Sequence, residues 1–320
     1  MPAVLTFAFD PVVHLAAGLS VRLETLGIAV ALFAGIVLAG IGARRAGGSA
    51  SSLGRLEPVD LVYMLVGSVP GAVLGGRLGY VLDHLEFYQA NPSAILDVSQ
   101  GSFGLTLGVP LGIATGAVVG WLIGAPVGRW LRVAAVPLLV ALALAKLAEV
   151  LGATGQGQPS QVGWATAYAG PGPWGSLAPD VPSLPSQAVE GFATLAVAAL
   201  VLGLRWIGPV ARRGGAIMLV GLGLWAVARL GVAFTWRDPI DLGPLRSDQA
   251  LSLIVIALSV GALVSSLRSS AATPDPDAEP RAEPIGEPMG GPAAQAAAPV
   301  GEPTAAPTAE PTDQPFLEPR

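Results

Sequence analysis

The chain contains no cysteine, one lysine and two histidines among its 320 residues. The missing cysteine excludes a disulfide-stabilised domain, a zinc–thiolate site and a cysteine nucleophile supplied by this chain. Two histidines, His14 and His84, are too few to favour a histidine-rich metal site. Charged residues make up only 12% of the chain, whereas a soluble protein carries about 25%.

Hydrophobic residues make up 52% of the chain, and many of them form long apolar stretches. Each stretch is close to the ~20 residues that a helix needs to cross a bilayer. The pattern predicts an all-α, polytopic membrane protein with seven transmembrane helices. The seven stretches cover residues 25–43, 60–82, 103–124, 130–151, 186–206, 214–236 and 249–267.

Arginines are distributed unevenly between the connecting segments. Segments 83–102 and 152–185 contain no Lys or Arg, whereas the alternate connections are basic. Since cytoplasmic loops carry the excess of positive charge, the N-terminus is predicted to lie outside and the C-terminus in the cytoplasm. The arginines that determine this orientation are Arg44, Arg45, Arg55, Arg129, Arg132, Arg212, Arg213 and Arg268.

The composition divides the chain into a membrane domain, residues 1–268, and a tail, residues 269–320. The tail has twelve prolines and nine acidic residues against two basic ones. An Ala/Pro/Glu-rich segment of this kind buries too little apolar surface to offset the entropy of ordering. The tail is predicted to be disordered and cytoplasmic, and a passive extension is favoured over a docking segment.

Three cations fall inside predicted spans: Arg77 in the second, Lys146 in the fourth and Arg229 in the sixth. They lie five, five and seven residues from the outer ends, or about 7–11 Å below the boundary. One anion site in the outer half of the bilayer would explain this arrangement, with a phospholipid head group as the anion. Buried ion pairs with Glu149 and Glu190, or arginines that reach the interface, would explain it equally well.

Five motifs, in order along the chain, resemble those of the prolipoprotein diacylglyceryl transferase family. The resemblance covers residues 20–267. The motifs are Gly75-Gly76-Arg77-Leu78-Gly79-Tyr80; Lys146-Leu147-Ala148-Glu149; Pro185-Ser186-Gln187 with Glu190; Arg229 with Phe234, Arg237 and Asp238; and Ser247-Asp248-Gln249-Ala250-Leu251-Ser252.

The resemblance implies transfer of the diacylglyceryl group of phosphatidylglycerol to the lipobox cysteine of a preprolipoprotein. It implies a multi-pass protein of the bacterial plasma membrane that needs no metal or organic cofactor and binds the lipid and the signal peptide, but no nucleic acid. The substrate supplies the thiol nucleophile, which agrees with a chain that lacks cysteine. The catalytic residues implied are Lys146, Arg229 and Glu149, and the phosphate-binding residues are Arg77, Lys146, Arg229, Gln187 and Gln249.

The chain also departs from the family's pattern. Gly108 stands in place of a histidine, Leu26 in place of a tyrosine, Lys146 in place of an arginine and Glu149 in place of an asparagine. Either His84 or a buried Lys146 could act as the missing base. The alternative is a non-catalytic relative that binds anionic phospholipid or lipoprotein signal peptides.

The segment 152–184 is long for a connection between two spans and contains seven glycines and five prolines. Long connections of this kind are commonly functional. It resembles the external region that covers the family's site, so it is expected to shape substrate access. An inert ordered loop is an equally good interpretation of the sequence.

Overall fold

Seven membrane-length helices dominate the computed structural model, which describes residues 4–46, 56–97, 102–206, 214–238, 240 and 242–269. The prediction of seven spans in an all-α membrane protein is confirmed, and the helix ends lie within a few residues of those predicted. A short additional helix follows the second span. The helices are α1 Leu23–Ala46, α2 Pro58–Asp83, α3 Leu85–Ala90, α4 Leu105–Leu122, α5 Val127–Ala148, α6 Ser186–Leu204, α7 Ala216–Val232 and α8 Ser247–Ser269.

Four short strands accompany the helices, and the sequence analysis did not predict them. They are β1 Leu5–Ala8, β2 Val12–His14, β3 Ser20–Arg22 and β4 Thr166–Ala169. β1 pairs in parallel with β4, placing Leu5 opposite Thr166, while β2 and β3 form an antiparallel hairpin. β1 therefore attaches the N-terminal segment to the connection between α5 and α6.

Glycines allow α2 and α4 to pack backbone against backbone. The buried face of α4 repeats small residues every four positions, at Gly108, Gly112, Gly116 and Gly120. Helices in lipid have no hydrophobic driving force for association, so the close van der Waals contact that small residues allow stabilises the helix pair instead. A Cβ at Gly108 would lie 3.2 Å from the carbonyl oxygen of Ala72 on α2. This face of α4 is therefore filled by α2.

The apolar core lies between the remaining helices. Leu139 of α5, Val201 of α6, Trp225 of α7 and Val255 of α8 belong to one buried cluster. α1 packs on the outside of α5, where a Cβ at Gly35 would lie 2.7 Å from that of Ala141. α5 and α7 end where α6 and α8 begin, so side chains near these ends meet.

Two predictions about the ends of the chain stay predictions. Residues 270–320, which make up almost the whole of the predicted tail, lie outside the described residues. The division at residue 268 and the cytoplasmic position of the C-terminus therefore rest on the sequence alone.

Replacing Gly75 of α2 by alanine is expected to destabilise the bundle. The new Cβ would lie 2.6 Å from the carbonyl oxygen of Leu107 and 2.7 Å from Cδ1 of Leu111, and overpacking of this kind costs about 1–3 kcal/mol. Gly40→Ala is the matched control, because a Cβ there meets nothing within 4 Å. Thermal unfolding in detergent measures both variants, and equal midpoints would contradict this account of α2–α4 packing.

Candidate functional site

Arg229, in the last turn of α7, is the centre of a buried polar network. Its side chain is about nine-tenths buried. Its Nε donates to Oγ1 of Thr106 at 2.7 Å, its Nη2 donates to Oδ1 of Asp248 at 3.2 Å, and its Nη1 donates to Oε1 of Glu190. Thr106 and Asp248 lie in the first turns of α4 and α8, and Glu190 is the fifth residue of α6. We call the end of the bundle at which these three helices begin the site end.

Lys146 joins the same network from α5. Its Nζ lies 3.0 Å from Oε2 of Glu149 and 3.5 Å from Oε2 of Glu190. Glu190 therefore bridges the two cations, and the cations are held in buried ion pairs of the kind that the sequence offered as one explanation. We refer to Lys146, Glu149, Glu190, Arg229 and Asp248 as the charged cluster.

The charged cluster contains two cations and three carboxylates, a formal charge of −1 when all are ionised. The N-termini of α4, α6 and α8 lie at this end of the bundle, and so do the C-termini of α5 and α7. The positive dipole ends of the first set and the negative dipole ends of the second therefore largely compensate each other. Two of the five N–H donors of Arg229 remain beyond the three bonds described above, so the guanidinium can take a further acceptor.

Arg77 has different partners. Its Nε donates to the carbonyl oxygen of Ile95 at 2.7 Å, and its Nη2 donates to those of Ala94 at 2.6 Å and Asp97 at 2.8 Å. The ring of Tyr88 lies 5.3 Å from its Cζ. The ion pairs thus connect two of the three cations predicted to share a site, while Arg77 holds the turn that follows α3.

Gln187 and Gln249, the two predicted phosphate-binding amides, are both about 1% exposed. Nε2 of Gln187 donates to the hydroxyl of Tyr168 at 3.3 Å, and Oε1 of Gln249 accepts from the backbone N–H of Arg246 at 2.9 Å. Burial raises the pKa of Tyr168 to about 12, so its phenol is neutral in this bond. The second polar atom of each amide has no partner among the described residues.

Thr106 and Asp248 are the site residues that the sequence analysis missed. Thr106 donates to Oδ1 of Asp248 as well as accepting from Arg229. A signal for Asp248 was present, because it lies between Ser247 and Gln249 in the last of the five motifs. Thr106 lies two residues before Gly108, and the helical rotation between them turns position 106 toward Arg229 and position 108 toward α2.

His84, one of the two suggested bases, follows α2. Its ring stacks on that of Tyr80 at 4.2 Å, and its Nδ1 hydrogen-bonds to the carbonyl oxygen of Tyr80 at 3.0 Å. The side chain is exposed. His84 therefore contacts Tyr80 at the end of its own helix and takes no part in the ion pairs of the charged cluster.

A narrow apolar crevice begins one helical turn from the charged cluster. Val109 of α4 follows Thr106 by three residues, Leu142 of α5 precedes Lys146 by four, and Trp225 of α7 precedes Arg229 by four. The crevice continues along the same three helices to Ile113, Leu139 and Leu222. Charge and apolar surface are therefore stacked along one line through the bundle.

Arg237 secures the segment 152–184 at the site end. Its Nε donates to the carbonyl oxygen of Gly157 at 2.5 Å, and its Nη2 donates to Oγ of Ser183 at 2.6 Å and to Oε1 of Gln156 at 3.4 Å. Phe7, Phe9, Tyr168 and Trp174 pack ring against ring between this segment and the N-terminus. The segment is thus fixed by a charged clamp and an aromatic cluster.

Seven membrane-length helices, a buried charged cluster and an apolar crevice beside it define a membrane-embedded protein with a polar site inside its helix bundle. The particular family follows from comparison with known proteins. The chain belongs to the prolipoprotein diacylglyceryl transferase family, whose model matches residues 11–265. Like that family, it is a multi-pass protein of the bacterial cell membrane.

Individual relatives carry the name phosphatidylglycerol–prolipoprotein diacylglyceryl transferase. The protein of Methylocella silvestris is 30% identical over 287 residues, which cover 85% of this chain and 99% of the relative. That of Ruegeria pomeroyi is 30% identical over 260 residues, covering 72% and 86%. That of Geobacter sulfurreducens is 29% identical over 233 residues, covering 69% and 84%. The similarity extends over nearly the whole length of these relatives.

Replacing Arg237 by glutamine is expected to loosen the segment 152–184. Hydrogen bonds of a charged donor contribute roughly 1.5–3 kcal/mol, so local opening should increase about tenfold or more. Chymotryptic cleavage at Trp164, Tyr168 or Trp174 measures this opening. Arg132→Gln, near the start of α5, is the control, and cleavage at the same rate in both variants would show that Arg237 does not hold the segment.

Proposed function

We propose that this chain transfers the diacylglyceryl group of phosphatidylglycerol to the lipobox cysteine of prolipoproteins. The observation that carries the proposal is the position of the charged cluster directly beside the apolar crevice. A phospholipid has the same two parts in the same order, a phosphate and then acyl chains. Membership of the family supports this lipid as the donor.

Arg229 and Lys146 are suited to the lipid phosphate. A guanidinium offers paired donors that match two phosphate oxygens, whereas an ammonium acts as a point charge. The backbone N–H groups at the starts of α4, α6 and α8 are further donors near the same place. Gln187 and Gln249, each with a buried polar atom that lacks a partner among the described residues, supply further hydrogen bonds to the head group.

The reaction places charge where these groups lie. The thiolate attacks the glycerol carbon that carries the phosphate, a carbon–sulfur bond forms, and the carbon–oxygen bond to the phosphate breaks. Negative charge develops on the leaving glycerol phosphate. Preorganised cations lower the energy of that charge, a role we assign to Arg229 and Lys146, while Glu149 orients the ammonium through its 3.0 Å contact.

The site end is proposed to face the outside of the cell. The arginine-rich connections belong to the opposite end of the bundle, as the positive-inside rule requires of the cytoplasmic side. A prolipoprotein presents its signal peptide from the membrane, so its cysteine can approach the charged cluster beneath the segment 152–184. The clamp of Arg237 on this segment then defines one wall of the entrance.

A transfer assay tests the proposed function. The full-length protein, purified in detergent, is incubated with phosphatidylglycerol and a lipobox peptide, and the diacylglyceryl thioether is measured by mass spectrometry. Clear product is expected. No product, with the Methylocella silvestris relative active beside it, would overturn catalysis. Lipid or peptide binding in that inactive protein would support the non-catalytic alternative.

Removing the Lys146 cation is expected to abolish transfer even where folding is preserved. The single change Lys146→Met leaves Glu149 without its cation and Glu190 with Arg229 alone, and is destabilising. Combining it with Glu149→Gln keeps the formal charge of the charged cluster at −1. We expect the double variant to unfold at a temperature near that of the wild type and to lose about 100-fold or more in kcat. Activity within a few-fold of the Glu149→Gln single variant would remove Lys146 from the mechanism.

A further inference from the structure

Asp248 has one carboxylate oxygen fully engaged and one that is not. Its Oδ1 accepts from Oγ1 of Thr106 and from Nη2 of Arg229. Its Oδ2 is buried and has no hydrogen-bond partner among the residues that the structure describes. The residue as a whole is 7% exposed. The carboxylate is therefore fixed in orientation by Oδ1, with Oδ2 left to accept from something else.

A buried carboxylate oxygen without a donor is unfavourable, because desolvation of the charge is not compensated. The same charged cluster has one more carboxylate than it has cations. Both features are relieved when a proton is delivered to Oδ2. Asp248 thus has the geometry and the surplus charge of a proton acceptor.

The other two carboxylates are less suitable. Both oxygens of Glu190 face cations, Oε1 toward Arg229 and Oε2 toward Lys146. Glu149 contacts Lys146 and is separated from Arg229 by Glu190 and Lys146. Asp248 is the carboxylate that combines direct contact with Arg229 and an uncommitted oxygen.

One departure of this chain from the family's pattern also concerns the acceptance of a proton. The histidine of that pattern is replaced by Gly108, and position 108 faces α2, where a Cβ would lie 3.3 Å from Cα of Gly76. A side chain as large as histidine does not fit there while α2 and α4 remain in contact. This chain therefore lacks that proton-accepting group, whereas Asp248 supplies a carboxylate in contact with Arg229.

We propose that Oδ2 of Asp248 accepts the proton of the lipobox thiol. This inference rests on the proposed function. As the sulfur attacks the lipid's glycerol carbon, the S–H proton passes to Oδ2, the carbon–sulfur bond forms, and the phosphate leaves with the electron pair of the broken carbon–oxygen bond. Asp248 then returns the proton to the leaving glycerol phosphate, which restores the carboxylate and balances the reaction. Thr106 is a positioning residue, since it holds Oδ1.

Asp248→Asn tests the assignment, because the amide keeps the size and the acceptor at one atom but cannot take the proton. General base catalysis contributes about 10²–10⁴-fold, so kcat at pH 7 should fall at least 100-fold while KM for phosphatidylglycerol changes little. The free thiol ionises near pH 8.5. Activity of the variant should therefore rise about tenfold per pH unit between pH 6.5 and 8, more steeply than that of the wild type.

Asp60→Asn is the matched control, since Asp60 lies at the opposite end of the bundle, where its carboxylate accepts from Nε1 of Trp130 at 3.3 Å. It should retain wild-type kcat and the wild-type pH profile. An Asp248→Asn variant that is as active as Asp60→Asn, or one that is slow but parallels the wild type in pH, would overturn the assignment alone. A wild type without transfer at any pH would overturn the proposed function together with it.

Discussion

The position of Arg229 inside the membrane is the constraint on which the site depends. An uncompensated charge at this depth costs several kcal/mol, so its partners must be supplied by neighbouring helices. They come from Thr106 of α4, Glu190 of α6 and Asp248 of α8. Each of these lies in or near the first turn of its helix. Neutralising one arginine therefore fixes where three helices begin, and the close glycine packing of α2 and α4 allows α4 to reach it.

This arrangement also explains why charge and apolar surface lie so close together. The crevice is lined by Val109 of α4, which begins at the site end, and by Leu142 of α5 and Trp225 of α7, which end there. Polar and apolar surfaces are thus adjacent because these helix ends lie at the same level, and the charged cluster needs no loop to form it. The segment 152–184 is an addition that Arg237 holds in place.

The sequence was sufficient for the helices because hydropathy and length determine spans in a bilayer. It was also sufficient for the ion pair of Lys146 and Glu149, which are three residues apart on one helix. The contacts of Arg77 could not be predicted from the sequence. Its side chain donates to the backbone carbonyl oxygens of Ala94, Ile95 and Asp97, and because every residue has a carbonyl, no residue type marks these partners. Thr106 was missed because helix rotation is not visible in composition. The short strands were missed because three or four residues carry too weak an alternation.

The residues at which this chain departs from the family's motifs change the formal charge of the site. Where the motifs of the family have arginine and asparagine, this chain has Lys146 and Glu149, so the formal charge at these two positions changes from +1 to 0. Acids beside a phosphate would oppose binding unless they were held by cations or took up a proton. Glu149 is held by Lys146. Asp248 is held through Oδ1 alone, and its second oxygen is the place where a proton from the substrate relieves the remaining charge as the anionic leaving group forms.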